Sequence, residues 1–247
     1  MDFATTGCGI GAEGDGMKEV GELLRGNRYP GRGIVVGRLE GGNPFFAYFI
    51  MGRSQQSRNR VFRTCGEEVR TRPFDERLVA DPRLIIYRAV ARHGQDVVVT
   101  NGDQTDTIIA GLEEGKTFGE ALQSRMYEPD EPHYTPRISA ILHLGRPFTY
   151  ELSILRRKDG QCERPSWPYE GKSGMGHLIH TYEQDGPVLP SFLGEPRPCL
   201  LHGNLEEIAQ TIWNALDNEN RISLVTRVFD DAGGTFRQSV FNRQEGA

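Results

Sequence analysis

The sequence predicts an α+β layered fold, not a doubly wound parallel sheet, on three observations. The stretch "GRGIVVGRLEGGNPFFAYFIMGR" holds two apolar runs joined by "EGGNP", the signature of a β-hairpin. Strand-like runs recur along the chain, at "DVVVT", "FTYELSILRR" and "RISLVTRVF" among others. Helical periodicity is confined to a few separate stretches, so helices and strands do not alternate as a βαβ pattern requires.

Taken in order, residues 1–15 are Gly-rich and are expected to form a flexible tail, with 16–247 a single domain. In "MKEVGELLR", Met17, Val20, Leu23 and Leu24 share one helical face, and Gly26 is placed as a stop. The hairpin follows, with Ile34, Val35, Phe46, Tyr48 and Ile50 as core. Strands are expected at "RLIIYRAV" and "DVVVT", then two helices, the second opened by the capping-box spacing of Thr117 and Glu120. Later strands are read at "FTYELSILRR", "HLIHTYE", "RISLVTRVF" and "TFRQSVF". Between them, Asn204 and Glu207 open the amphipathic helix "NLEEIAQTIWNAL". Asp159 to Gly176, rich in Gly, Pro and Ser, reads as a long loop.

Composition narrows the function. The chain has 247 residues, 26% charged and 37% hydrophobic, as in ordinary globular proteins. No apolar run approaches the roughly 20 residues that span a bilayer. The N-terminus has neither the basic start nor the apolar core of a secretory signal, so a cytoplasmic location is expected. Cys8, Cys65, Cys162 and Cys199 form no C-x-x-C pair, in keeping with reduced thiols. A net charge of -5 argues against a nucleic-acid surface, which needs a basic face.

Against that acidic balance, no Asp or Glu lies between Glu40 and Glu67, while "GRSQQSRNRVFR" carries Arg53, Arg58, Arg60 and Arg63. If "RNRVF" begins a strand, Arg58 and Arg60 share a face and form a fork for a phosphate or carboxylate. The alternative is a solvated loop paired with acids elsewhere. In "VVVTNGDQTDTIIAGL", the Asn101-Gly102 turn precedes Thr105, Asp106 and Thr107, which are N-cap candidates for a helix whose free N–H groups would suit an anion. A merely well-capped turn explains the same residues. In "YEPDEPHYTPRI", Glu128, Asp130 and Glu131 are crowded, an arrangement that raises carboxyl pKa values and suits proton transfer. Acidic Pro-rich turns also serve solubility.

Other signals lead nowhere. "GKS" at Gly171 to Ser173 has Ser166 where a phosphate loop needs Gly. His177 and His180 fall on opposite faces of a strand, so they do not share a metal. No metal or redox cofactor is signalled.

"YPGRGIVVGR", "GRSQQSRNR", "IIYRAV", "VVTNGDQTDTI", "YEPDEPHYTPRISA" and "HTYEQDG", in this order from Tyr29 to Gly186, resemble the archaeal-type, monofunctional IMP cyclohydrolases. The resemblance implies a four-layer helix–sheet–sheet–helix sandwich of mainly antiparallel sheets, like that of N-terminal nucleophile hydrolases. It implies closure of FAICAR, a formylated aminoimidazole carboxamide ribotide, to inosine monophosphate and water in purine biosynthesis. The family's active-site arginine, tyrosine and glutamate match Arg60, Tyr87 and Glu128, with Arg58 the competing match for the arginine. Substrate-binding residues are expected among Arg32, Arg53, Arg58, Asn59, Asn101, Gly102, Thr105, Asp106 and Arg137. The implied partner is the nucleotide itself, with no cofactor, no nucleic acid and no membrane, and a homo-oligomer is expected.

The dianionic phosphate of such a substrate answers to the arginine stretch. Two other readings stay open. An N-terminal nucleophile amidohydrolase would need cleavage before Cys8. A nucleotide-binding regulator would keep the pocket without turnover.

Overall fold

The computed structural model describes residues 16–79, 86–230 and 232–245. The expected tail over 1–15, with Cys8, lies outside them, as do Arg83 to Ile85 of "RLIIYRAV". Among the described residues no helix is long and apolar enough to cross a membrane.

The hairpin forms as read. Strand β1 (Arg32–Arg38) pairs antiparallel with β2 (Pro44–Met51), Arg32 opposite Ile50. Both strands are buried on both faces, which is why their sequences are apolar almost without alternation. A short helix α2 (Gln55–Arg58) follows, then β3 (Val61–Cys65), β4 (Glu68–Arg72), β5 (Arg88–His93) and β6 (Asp96–Thr100). Helices α3 (Gln104–Glu113) and α4 (Phe118–Ala121) precede β7 (Arg137–His143) and β8 (Thr149–Lys158). Next come β9 (Gln161–Glu163), β10 (Ser166–Glu170), β11 (Met175–His180) and β12 (Arg197–Leu200). Helix α5 (Leu205–Ala215), β13 (Arg221–Phe229) and β14 (Phe236–Asn242) complete the described strands and α-helices, with α1 (Val20–Arg25) at the start.

Two antiparallel sheets result. One runs β12-β11-β1-β2-β13-β14, the other β10-β8-β7-β6-β5-β4-β3 with β9 beside β8. Three apolar clusters give four layers. Ile34, Val36, Phe46 and Tyr48 of the first sheet meet Val97, Val99, Ile138 and Leu152 of the second. The opposite faces of β1 and β2, with Val35, Ala47 and Phe49, are covered by Val20 and Leu24 of α1 and Ile208 and Ile212 of α5. The outer face of the second sheet, with Val98 and Ile141, is covered by Ile108 of α3 and Phe118 of α4. The expected helix–sheet–sheet–helix sandwich is therefore the observed one.

Local capping signals hold. Thr117 and Glu120, and Asn204 and Glu207, each close a reciprocal capping box. Four readings need correction. The stretch 159–176 is not a loop: it carries β9, β10 and the start of β11, because Trp167 and Tyr169 alternate inward onto the inter-sheet core. Pro168 is tolerated there because β10 ends the sheet. "RNRVF" does not begin a strand, since Ser54 caps α2 and β3 starts only at Val61. The N-cap of α3 is Asp103, ahead of Thr105, Asp106 and Thr107, because the Thr100 hydroxyl bonds Gly102 and Thr105 and closes the turn early. Finally, "HLIHTYE" leaves the sheet after His180.

Candidate active site

A cleft of about 410 Å³ opens at one end of the sandwich, beside the start of β1. Tyr29, Gly31 and Arg32 enter it from β1 and the residues before it. Arg53, Ser57 and Arg60 come from the segment around α2. Glu128, Asp130, His133 and Thr135 come from the turn before β7, and Tyr182 and Leu189 from the segment after β11.

Arg32 lies on β1 but its side chain reaches across to the β7 turn, where Nη2 donates to Glu128 Oε1 at 3.2 Å. Both side chains are largely buried, 10% and 16% exposed. Burial alone would lower the Arg32 pKa, but the Glu128 carboxylate, with smaller contributions from the phenol oxygens of Tyr182, Tyr87 and Tyr48, outweighs it and raises the pKa above the usual arginine value. Its Nε is buried with no hydrogen-bond partner among the described residues, although buried polar atoms are nearly always paired.

Arg60, 7% exposed, is anchored through Nε to the Ser57 carbonyl at 3.0 Å. Tyr87 lies near it, its hydroxyl 2.7 Å from that of Tyr48. Burial raises the pKa of Tyr87, opposed by the positive charges of Arg60 and Arg32. Tyr48 is raised well above its usual value, chiefly by burial. Both phenols are therefore proton-bearing hydrogen-bond donors at neutral pH.

Tyr182 is held from behind. Its carbonyl accepts from the Asn27 amide at 3.1 Å and from His180 Nδ1 at 2.9 Å. Its ring stacks on Tyr29 with centroids 6.0 Å apart. Its hydroxyl lies 2.6 Å from Thr135 Oγ1, which in turn donates to Asp130 Oδ2. Burial pushes the Tyr182 pKa up to about 12. The Leu189 N–H donates to His133 Nδ1 at 3.1 Å.

The structure divides the residues nominated from sequence. Arg32, Arg53, Arg60 and Glu128 line the cleft, and Tyr87 sits within electrostatic reach of three of them. Arg53 also lies 4.6 Å over the Tyr29 ring and pairs with Asp185 at 2.6 Å. The others are placed elsewhere. Arg58 Nε donates to the Gly52 carbonyl, and Asn59 exchanges two 2.7 Å hydrogen bonds with the backbone of Asp75. Asn101 ties the start of β7, accepting from Ile138 N and donating to Pro136 O. Gly102 and Thr105 are bound into the Thr100 turn, Asp106 pairs with Arg88, and Arg137 packs over Gly102 and pairs with Asp103. Each of the three acids has a partner of its own: Glu128 pairs with Arg32, Asp130 caps Thr135, and Glu131 accepts from the Tyr134 hydroxyl.

Residues 29–233 match the sequence profile of the family described as "IMP cyclohydrolase-like protein". The chain belongs to that family. A relative named IMP cyclohydrolase from Methanocaldococcus jannaschii is 28% identical over 210 residues, 83% of this chain and 96% of the relative. One from Methanococcus maripaludis (strain DSM 14266) is 35% identical over 161 residues, 63% of this chain and 75% of the relative. One from Methanopyrus kandleri is 33% identical over 143 residues, 54% and 71% of the two chains.

In this IMP cyclohydrolase-like chain, Tyr29, Tyr48, Thr135 and Tyr182 stand at or behind the cleft without an individual signal of that role in the sequence. Three of them stand inside the quoted stretches "YPGRG", "PHYTPR" and "HTYEQDG", so the signal was the stretch rather than the residue type. Tyr48 is expected from sequence as core, which it also is.

Proposed function

We propose that the protein is an IMP cyclohydrolase, closing FAICAR to inosine monophosphate with loss of water. The observation that carries this reading is the meeting of a buried Arg32–Glu128 pair with Arg60 at one cleft, with the Tyr48–Tyr87 pair behind it within electrostatic reach of all three, in a chain of this family. The reaction is intramolecular: the carboxamide nitrogen attacks the neighbouring formyl carbon. Holding the two groups in contact contributes about 7–11 kcal/mol in favourable systems.

Arg60 is the donor for the formyl oxygen as it gains charge. Tyr87, a neutral phenol, donates to the same oxygen. Arg32 adds positive charge to the cleft wall beside Glu128, and Arg53 at the rim suits the substrate phosphate. Glu128 carries a proton from the formamide nitrogen to the departing hydroxyl, so that it leaves as water. Among the described residues only its Oε1 is engaged, which leaves a second oxygen for this task. A cytoplasmic location and a homo-oligomeric assembly belong to the same proposal.

The test is to mix the purified protein with FAICAR and follow inosine monophosphate by ultraviolet absorbance and chromatography. Rapid closure, lowered about 100-fold or more in Glu128→Gln, supports the reading. No closure by folded protein, with tight binding of the product, would favour a nucleotide-binding regulator instead.

A further inference from the structure

We infer that Tyr182, Thr135 and Asp130 form a proton relay that takes the proton from the attacking amide nitrogen. This rests on the cyclohydrolase reading and assigns a second proton path to the same cleft, separate from Glu128.

The direction of the chain follows from counting hydrogens. Thr135 has one hydroxyl hydrogen, and it is committed to Asp130 Oδ2, since a carboxylate only accepts. The hydrogen in the 2.6 Å contact between Thr135 Oγ1 and the Tyr182 hydroxyl must therefore belong to Tyr182. Thr135 N–H donates to the other carboxylate oxygen at 2.6 Å, which fixes the Asp130 carboxyl against the turn. With its own hydrogen pointing at Thr135, the Tyr182 oxygen presents lone pairs elsewhere, and the residue lines the cleft. It is an acceptor there, unlike Tyr87.

The transfer balances. As the N–C bond forms, the amide proton passes to the Tyr182 oxygen, the Tyr182 proton to Thr135 Oγ1, and the Thr135 proton to Asp130 Oδ2. Asp130 ends neutral and the formyl oxygen negative, beside Arg60. Running backwards, the same chain protonates that oxygen and restores every group. Burial disfavours a free tyrosinate, so the proton leaving Tyr182 and the proton arriving must move together. Within this chain of three, Tyr182 meets the reacting nitrogen, and Thr135 and Asp130 are positioning residues that act on it through Tyr182.

The surroundings keep the chain in register. Tyr182 is pinned by its carbonyl to Asn27 and His180, and Thr135 is 1% exposed. A relay needs this constancy, because each oxygen must stay within hydrogen-bond distance of the next.

The experiment compares wild type, Thr135→Val, Thr135→Ser and Tyr182→Phe for FAICAR closure, solvent isotope effect against deuterium fraction, and affinity for inosine monophosphate. The relay predicts an about 100-fold fall in kcat for Thr135→Val and for Tyr182→Phe. It predicts product affinity within about 3-fold of wild type, recovery in Thr135→Ser to within about 5-fold, and a curved deuterium dependence that becomes linear in Thr135→Val. Should Thr135→Val fail to fold, Tyr182→Phe reads the same chain by removing one hydroxyl. Full kcat in Tyr182→Phe, or equal impairment of Thr135→Ser and Thr135→Val, overturns the relay while leaving the cyclohydrolase standing. No closure by wild type overturns both.

Discussion

Arg32 and Glu128, 96 residues apart in the chain, meet in the cleft with Nη2 3.2 Å from Oε1, and both are largely withdrawn from water. Removing one partner of such a pair strands the other charge in a poorly solvated place. Glu128→Ala is expected to cost about 3–5 kcal/mol of stability. Arg53→Ala, whose pair with Asp185 is about one-third exposed on each side, should cost under about 1 kcal/mol. Urea unfolding of both variants decides this; equal costs would contradict the burial argument.

Arg60 and Arg58 separate by position. Arg60 lines the cleft, while Arg58 holds the Gly52 carbonyl and reaches Asn220. Arg60→Ala should lower kcat/KM for FAICAR by about 100–1,000-fold, the range for losing one donor to a developing oxyanion. Arg58→Ala should stay within about 3-fold while losing on the order of 1 kcal/mol of stability. Steady-state kinetics of the two variants, side by side, would expose a reversed assignment.

Gly31 sits at φ 75°, and a Cβ there would lie 2.3 Å from Thr181 Oγ1 and 2.5 Å from the Tyr182 ring. The left-handed backbone alone costs a non-glycine residue about 1–2 kcal/mol. Gly31→Ala is expected to lose at least about 2 kcal/mol and to lower kcat, because the ring it displaces is the one stacked on Tyr29. Thermal unfolding and turnover of the variant test both; normal values would mean the segment yields easily.

His180 gives acid sensitivity. Burial lowers its pKa to about 4, and its Nδ1–H donates to the Tyr182 carbonyl. A folded-state pKa below the unfolded one means the unfolded chain binds the extra proton first. The stability contributed is thus complete above about pH 6.5 and lost as pH falls toward 4. Between pH 7.5 and pH 5 the loss is about 2 kcal/mol. His180→Asn, which keeps a donor for the carbonyl but cannot titrate, should lack that part of the slope. His177, also lowered to about 4, and His143, raised by its bond to Asp96, titrate in both proteins and cancel in the comparison. Denaturant midpoints at the two pH values supply the measurement, and parallel slopes would refute it.

Much of this architecture was legible from neighbours in sequence. The capping boxes at Thr117 and Asn204, the stop at Gly26 and the hairpin turn after Leu39 all depend on residues within a few positions of one another. Strand β10 was not legible, because Ser, Pro and Gly around Trp167 and Tyr169 mask an alternation that only the inter-sheet core rewards. The arginine fork failed for a related reason. Period-two reasoning assumes a strand, and the side chain of Ser54 instead closes a turn of helix just before it.

By itself the sequence determined the layered α+β class, the capped starts of α4 and α5 and the six stretches that mark the family, since these rest on local conformational preference and on residue identity. Only the tertiary structure decided which members of those stretches share a cleft. Tyr182 reaches Thr135 because β11 pairs with β1 in the first sheet while β7 opens in the second, and the two sheets pack face to face. That distance is set by register and by packing across the core, and neither is written in the spacing of 47 residues between them.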